Sequence, residues 1–209
     1  MSRLIYIQAS PRGARSVSTA VADAFVAAYR KARPAAEIKV LNPFAADLPP
    51  FDGAVLNAKY AVLNGLEFSR EEQDAWGRVV ALSEEFKSFD RYVIAAPMWN
   101  FSIPYRLKHY LDLIVQPGLT FSFTPEEGYR GLVNGKPVFL ALARGGEYPA
   151  GSPGEAWDSQ LRYLKTILGF IGFTDIRTVV AEPTLGAPDV TARRRDDAVA
   201  QAARMGAEF

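Results

Sequence analysis

At 209 residues and 49% hydrophobic content, the chain is long enough to bury an apolar core of its own, and one domain spanning residues 1–209 is expected. Its 24 Lys and Arg against 23 Asp and Glu leave a formal charge of +1, too little field to recruit nucleic acid or an anionic membrane. With no Cys and a single His, the chain lacks disulfides, thiolate nucleophiles, iron–sulfur or Cys-based zinc ligands and a His cluster for a metal or hydrolytic triad, so no metal site is expected.

The first apolar run, Leu4 to Ile7, is too short for a signal-peptide core or a membrane span, and a cytoplasmic address is expected. It reads as a buried strand that enters a turn at Gln8-Ala9-Ser10-Pro11-Arg12-Gly13. Ser16 and Ser18 can cap a helix, and Val21, Phe25 and Tyr29 then recur every fourth residue up to Pro34. Glu37 to Leu41 alternates as a second strand. The Pro- and Gly-rich segment from Asn42 to Phe68 is expected to be an irregular insertion, followed by a helix over Ser69 to Phe86.

A continuous apolar run, Tyr92 to Ala96, gives a third strand ahead of Pro97. Pro104 suits the first position of a helix with Leu107, Leu111 and Ile114 on one face, ended by Pro117 and Gly118. Val138 to Leu142 is a fourth strand, Asp158 to Phe170 a helix stopped at Gly172, Ile176 to Val180 a fifth strand, and Asp189 to Met205 a polar helix. Strands alternating with helices predict a doubly wound α/β fold: a five-stranded parallel sheet in the order 2-1-3-4-5 with helices on both faces. Ligands of such sheets bind beyond the carboxyl ends of the strands, so the loops after strands one, three and four are the candidate site.

The first loop sets the hydroxyls of Ser10, Ser16 and Ser18 at the mouth of a helix, where free N–H groups and the positive helix end favour an anion such as a phosphate monoester. The bland alternative is that these serines only cap the helix. No Walker lysine pattern and no G-x-G-x-x-G dinucleotide fingerprint accompanies the loop. The third loop, Pro97-Met98-Trp99-Asn100-Phe101, offers two aromatics, a thioether and an amide to a flat heterocycle, or else packs as an ordinary loop. In the fourth, Ala143-Arg144-Gly145-Gly146, the glycines remove Cβ atoms where a ligand can approach the backbone; a plain turn is the alternative. Arg144 can face a reduced cofactor or a carboxylate, and His109 reads as a surface or helix-packing residue.

Together with Leu107-Lys108, Asp112, Thr120-Phe121, Leu168-Gly169-Phe170-Ile171-Gly172 and Thr174-Asp175, these loops resemble the FMN-dependent NADH-azoreductase family, also described as FMN-dependent NADH:quinone oxidoreductases, of the flavodoxin-like superfamily. The resemblance spans nearly the whole chain. It implies noncovalent FMN held by Ser10, Ser16, Val17 and Ser18 at the phosphate and by Pro97 to Phe101 and Ala143 to Gly146 around the ring. It further implies a homodimer with the site at the subunit interface and, by the apolar surplus beside these loops, an acceptor pocket drawing on Phe121, Phe123, Phe170 and Phe173. In the implied ping-pong reaction NADH or NADPH delivers hydride to flavin N5, and an aromatic azo compound or a quinone then takes the electrons; no protein side chain is assigned as catalytic. Val17, Trp99 and Ala143 stand where the family more familiarly has a polar residue, Tyr and Ser. An electron carrier and an FMN reductase supplying reduced flavin are the rival functions.

Overall fold

The computed structural model describes residues 2–209. In chain order it contains β1 (Arg3–Gln8), α1 (Val17–Ala32), β2 (Glu37–Leu41), α2 (Gly53–Asn64), α3 (Arg70–Lys87), β3 (Arg91–Pro97), α4 (Tyr105–Ile114), β4 (Phe121–Thr124), β5 (Gly128–Gly131), β6 (Pro137–Ala143), α5 (Ser159–Phe170), β7 (Asp175–Ala181) and α6 (Pro188–Glu208). Five strands form a sheet in the order β2-β1-β3-β6-β7, all pairs parallel. Counted among the parallel strands alone, this is the expected 2-1-3-4-5. The hairpin β4–β5 forms a separate two-stranded sheet that the sequence reading did not anticipate.

The apolar strands feed two layers, because successive side chains point to opposite faces. Leu4, Tyr6, Val93, Ala95, Phe139, Ala141, Val179 and Ala181 pack beneath α1 and α6, against Val21, Phe25, Tyr29, Ala198 and Ala202. Ile5, Ile7, Tyr92, Ile94, Leu140 and Leu142 face the other way, against Val79 and Phe86 of α3, Leu107 and Leu111 of α4, and Leu164 and Leu168 of α5. The three central strands β1, β3 and β6 are therefore covered on both sides, whereas the edge strand β2 buries none of its residues fully. The helices α1 and α6 approach so closely that a Cβ on Gly206 would lie 2.2 Å from the Phe25 carbonyl oxygen.

The irregular insertion expected at 42–68 requires correction, since α2 occupies twelve of its residues. Asp52 caps its start by accepting from the Ala54 N–H at 3.2 Å, and Gly65 ends it at φ 64°. Apolar residues ring this helix: Val55, Ala58 and Ala61 are buried while Tyr60, Val62 and Leu63 are exposed, so no amphipathic stripe marks it. The stretch ahead of α2 is pinned by α4. Arg106 donates to the carbonyls of Pro43 (2.7 Å) and Ala46 (2.8 Å), and His109 Nε2 donates to that of Pro49 (2.9 Å). His109 is thus a packing residue. Pro104 lies one residue ahead of α4 rather than inside its first turn.

Candidate functional site

Parallel pairing brings the carboxyl ends of β1, β3, β6 and β7 to one edge, and the ladder continues into the loops that follow. Ala9 N–H donates to Ala95 O (2.8 Å), Met98 N–H to Ala143 O (2.8 Å) and Arg144 N–H to Ala181 O (3.1 Å). These bonds hold four strand-end loops around a cleft of about 180 Å³. Its walls are Ser10, Arg12, Ser16, Val17 and Ser18 from the first loop, Pro97, Met98 and Trp99 from the third, Ala143 and Gly145 from the fourth, and Thr184 and Leu185 after β7.

At one end lies the start of α1. Ser16 is its N-cap, accepting from Thr19 N–H at 3.3 Å, and its hydroxyl lies 3.1 Å from that of Ser18. Capping and lining the cleft therefore coexist in this residue. Ser10 differs: its hydroxyl is buried and finds no hydrogen-bond partner within the chain. A buried polar atom normally has one, and of the buried side-chain oxygens without a partner among the described residues, those of Ser10, Thr19, Gln116, Ser152 and Thr178, only that of Ser10 belongs to a residue that lines the cleft. The positive end of α1 and the exposed Arg12 side chain among the cleft walls give that end the electrostatic character that suits an anion.

The other end is flat and largely apolar. Trp99 packs edge-on against Phe44, at 5.7 Å between ring centroids, and Phe44 in turn against Tyr105 at 5.6 Å, so the stretch ahead of α2 buttresses the cleft. Trp99 and Ser102 exchange two backbone hydrogen bonds of 2.9 Å across Asn100 and Phe101. Both turn residues have positive φ, 45° and 67°, the pattern of a type I′ turn in which Gly commonly takes the second place. Here Phe holds it, and its half-exposed ring meets Trp157 at 5.5 Å and Tyr148 at 6.3 Å. A Cβ on Gly145 would meet the Leu185 side chain at 2.8 Å, which is why that wall of the cleft is bare backbone.

Several expected site residues sit elsewhere. Asn100, Phe101 and Gly146 flank the cleft through their loops without lining it. The Arg144 side chain turns away into the interior, where it is 2% exposed and bonded to Asp158, Gln160 and Glu182, so the reading of a cation facing the ligand is corrected to that of a carboxylate partner. Phe173 is a core residue, 2% exposed, because it packs edge-on to Tyr92 of β3 at 4.8 Å and to Phe86 of α3 at 6.3 Å. Phe121 and Phe170 meet at a tilt, 4.7 Å between ring centroids, joined by Phe123 and by Tyr129, which lies 5.5 Å from Phe170. Tyr129 extends the expected aromatic group. Arg12, Thr184 and Leu185 were missed; only the position of Thr184 and Leu185 after the fifth strand could have signalled them.

Burial pushes the phenols of Tyr92 and Tyr110 up, so both stay neutral and serve as core. Among the described residues no group of three or more His, Asp or Glu is placed to hold a metal, and no helix is long and apolar enough to cross a membrane. A wider groove of about 490 Å³ runs between Glu147 and α6, where Arg194 pairs with Glu147 at 3.5 Å and Glu182 with Arg144 at 3.3 Å.

Residues 2–205 match the model of a family described as having a flavodoxin-like fold. The chain is 56% identical over 210 residues to an FMN-dependent NADH:quinone oxidoreductase of Nitratidesulfovibrio vulgaris strain DP4, covering 100% of both. The solved azoreductase from Bacillus anthracis strain Sterne superposes at a TM-score of 0.92 with 30% identity, covering 100% of both chains. An FMN-dependent NADH-azoreductase from Bacillus anthracis strain Ames Ancestor, solved in complex with FMN, superposes at 0.86 with 31% identity, covering 99% of this chain and 100% of that one. Matching from end to end in sequence and in fold, this chain belongs to the FMN-dependent NADH:quinone oxidoreductase and azoreductase family of the flavodoxin-like fold.

Proposed function

We propose that this chain is an FMN-dependent oxidoreductase that uses NADH or NADPH to reduce quinones to hydroquinones and azo compounds to aromatic amines. The observation that carries the reading is the cleft itself: an orphaned, buried Ser10 hydroxyl at the start of α1, continuous with a flat ledge of Met98 and Trp99 and a strip of bare backbone at Gly145. FMN fits those features. Its phosphate suits Ser10, Ser16, Ser18 and the backbone at Val17, with Arg12 supplying charge at the rim, and no second nucleotide is called for. Its ring suits Pro97, Met98 and Trp99 on one side and Ala143 and Gly145 on the other, with Asn100, Phe101 and Gly146 completing the loops behind them and Arg144 contributing only backbone.

Bound FMN supplies the two-electron redox chemistry. The chain supplies a rigid seat for the phosphate, a dry apolar ledge for the ring and an open face that donor and acceptor visit in turn. The aromatic group of exposed Phe123 and Tyr129, backed by half-buried Phe121 and Phe170, offers a surface for a planar acceptor. We further propose that residues 1–209 act as one domain, in the cytoplasm where the nicotinamide donors are held, and as a homodimer. Exposed Phe123, Tyr129, Tyr60, Val62, Leu63 and Leu66 are the apolar groups that a second copy would cover.

The test is an absorbance spectrum of the purified protein followed by anaerobic titration with NADH and, separately, NADPH. The reading predicts a flavin spectrum bleached by either donor and restored by a quinone. Failure to hold FMN after reconstitution overturns it. Turnover only with free FMN as acceptor would favour an FMN reductase, and reduction without turnover of any small acceptor an electron carrier.

A further inference from the structure

We propose that Arg144 is a positioning residue for the FMN and acceptor site: through Gln160, Asp158 and Glu182 it locks the loops after β3, β6 and β7 into one body. The proposal rests on the functional reading above, and the contacts come from the fold alone. One guanidinium joins the loop after β6 to the start of α5, at Asp158 and Gln160, and to the segment after β7, at Glu182. Its Nε donates to Gln160 Oε1 at 3.1 Å, its Nη2 to Asp158 Oδ2 at 2.7 Å and its Nη1 to Glu182 Oε2 at 3.3 Å.

Each acceptor leads to a different part of the site. Gln160 is fully buried and spends its amide N–H on the Ala96 carbonyl at 3.1 Å, one residue ahead of the Pro97–Phe101 loop. Asp158 uses its second oxygen to cap α5, accepting from Leu161 N–H at 3.0 Å, next to Trp157, against which Phe101 leans. Glu182 accepts in addition from Tyr148 N–H at 3.3 Å and stands two residues before Thr184, a wall of the cleft. The Arg144 backbone closes the same circuit, because its carbonyl accepts from Thr184 N–H at 2.8 Å and the next carbonyl, that of Gly145, from Leu185 N–H at 3.2 Å.

Direct contact between this cation and a ligand is unsuited to the geometry. The side chain is 2% exposed, lies outside the cleft lining, and already faces two carboxylates, so its charge is spent before a ligand arrives. What remains is geometric. Three acceptors, each met by a different nitrogen of one rigid guanidinium, tie the loop after β6 to the start of α5 and to the segment after β7, and a lysine, with a compact ammonium on a flexible stem, does not present three donors in that fixed fork.

Arg144→Lys and Gln160→Met test this, singly and together. In each holoenzyme FMN release is followed by dilution and flavin fluorescence, the position of the flavin absorbance bands is recorded, and melting is measured by circular dichroism. Each single variant is expected to weaken FMN retention about tenfold or more and to shift the flavin bands while still folded at the assay temperature. The double variant should lose less than the sum, since both changes cut one network. Amide hydrogen exchange in residues 98–102 and 184–186 should rise in Gln160→Met. Should Arg144→Lys not fold, Gln160→Met alone decides.

Two outcomes overturn the proposal. In one, melting falls but FMN retention stays within about twofold of the parent, with bands and exchange unmoved, which is a purely structural role. In the other, Gln160→Met behaves as the parent in every readout, so that any Arg144 effect is not transmitted through the network. A parent protein that holds no FMN at all overturns the functional reading instead, and the exchange measurement still decides whether the network fixes the loops.

Discussion

Ser10→Ala should move the stability of the free chain and its affinity for FMN in opposite directions. The Ser10 hydroxyl is buried, 4% exposed for the residue, and has no partner within the chain. An unsatisfied buried polar group costs about 1–3 kcal/mol, so deleting it should leave the FMN-free fold unchanged or more stable by up to about that amount. At about 2–4 °C per kcal/mol for a chain of this size, the melting temperature should rise by a few degrees. A hydrogen bond to the phosphate dianion is worth about 1.5–3 kcal/mol, so FMN should bind about ten- to a hundredfold more weakly. Ser16→Ala is the contrast: its hydroxyl caps α1 at 3.3 Å from Thr19 N, and losing a cap costs about 0.5–2 kcal/mol in the free chain as well. Melting curves of the two variants with and without FMN, together with FMN titrations, make the comparison. If Ser10→Ala lowers the melting temperature of the free chain as Ser16→Ala does, or leaves FMN affinity unchanged, the orphaned hydroxyl is not reserved for a phosphate.

Gly206→Ala puts a methyl 2.2 Å from the Phe25 carbonyl oxygen and must push α6 from α1, costing about 1–3 kcal/mol as overpacking does. Scanning calorimetry should show a lowered melting temperature, while FMN affinity, set on the far edge of the sheet, stays as in the parent. In Gly131→Ala the new methyl would lie 2.3 Å from Gly172 N, so the β4–β5 hairpin must lift from the end of α5. If its aromatics receive the acceptor, steady-state kinetics will show a raised KM for quinone with FMN binding intact; an unchanged KM removes the hairpin from the pocket. Asp175 is held below its ordinary value by the hydrogen bond from Arg177, so the pair stabilises the fold at neutral pH and loses that contribution as pH falls through the lowered value. Both side chains are well exposed, so Asp175→Asn should cost no more than about 1 kcal/mol at pH 7. The difference should vanish in acid melts; a difference persisting there would mean that Asp175 acts by something other than its charge.

The central parallel strands were legible because buried strands of such sheets are apolar without interruption: Ile5 and Ile7 face one layer, Leu4 and Tyr6 the other, and all read as one run, while the edge strand Glu37–Leu41 showed by alternation. Helices with a single buried stripe, such as α1 with Val21, Phe25 and Tyr29, were equally plain. Two elements escaped for different reasons. Helix α2 has apolar residues all round, which erases the 3.6-residue pattern, although its caps Asp52 and Gly65 were readable. The hairpin β4–β5 was encoded in the alternation of Phe121, Ser122, Phe123 and Thr124 before Pro125 and Gly128, a run short enough to pass for a loop. At the site, the serine loop, Met98, Trp99 and Gly145 were found because strand-end loops of known position hold few residue types. The direction in which Arg144 points was not accessible, since a chain does not state which of several distant carboxylates will fold back to meet a guanidinium.

The two-residue turn at Asn100 and Phe101 sets heat tolerance against turnover in any programme of directed evolution. A phenylalanine at φ 67° occupies a conformation that glycine adopts freely, at a strain on the order of 1–3 kcal/mol. Selection for survival at high temperature would therefore enrich Gly at position 101, and selection for reduction of planar acceptors would retain the ring that leans on Trp157 and Tyr148. Libraries screened alternately under the two pressures should oscillate at this codon while leaving Ser10 and Gly145 fixed under both.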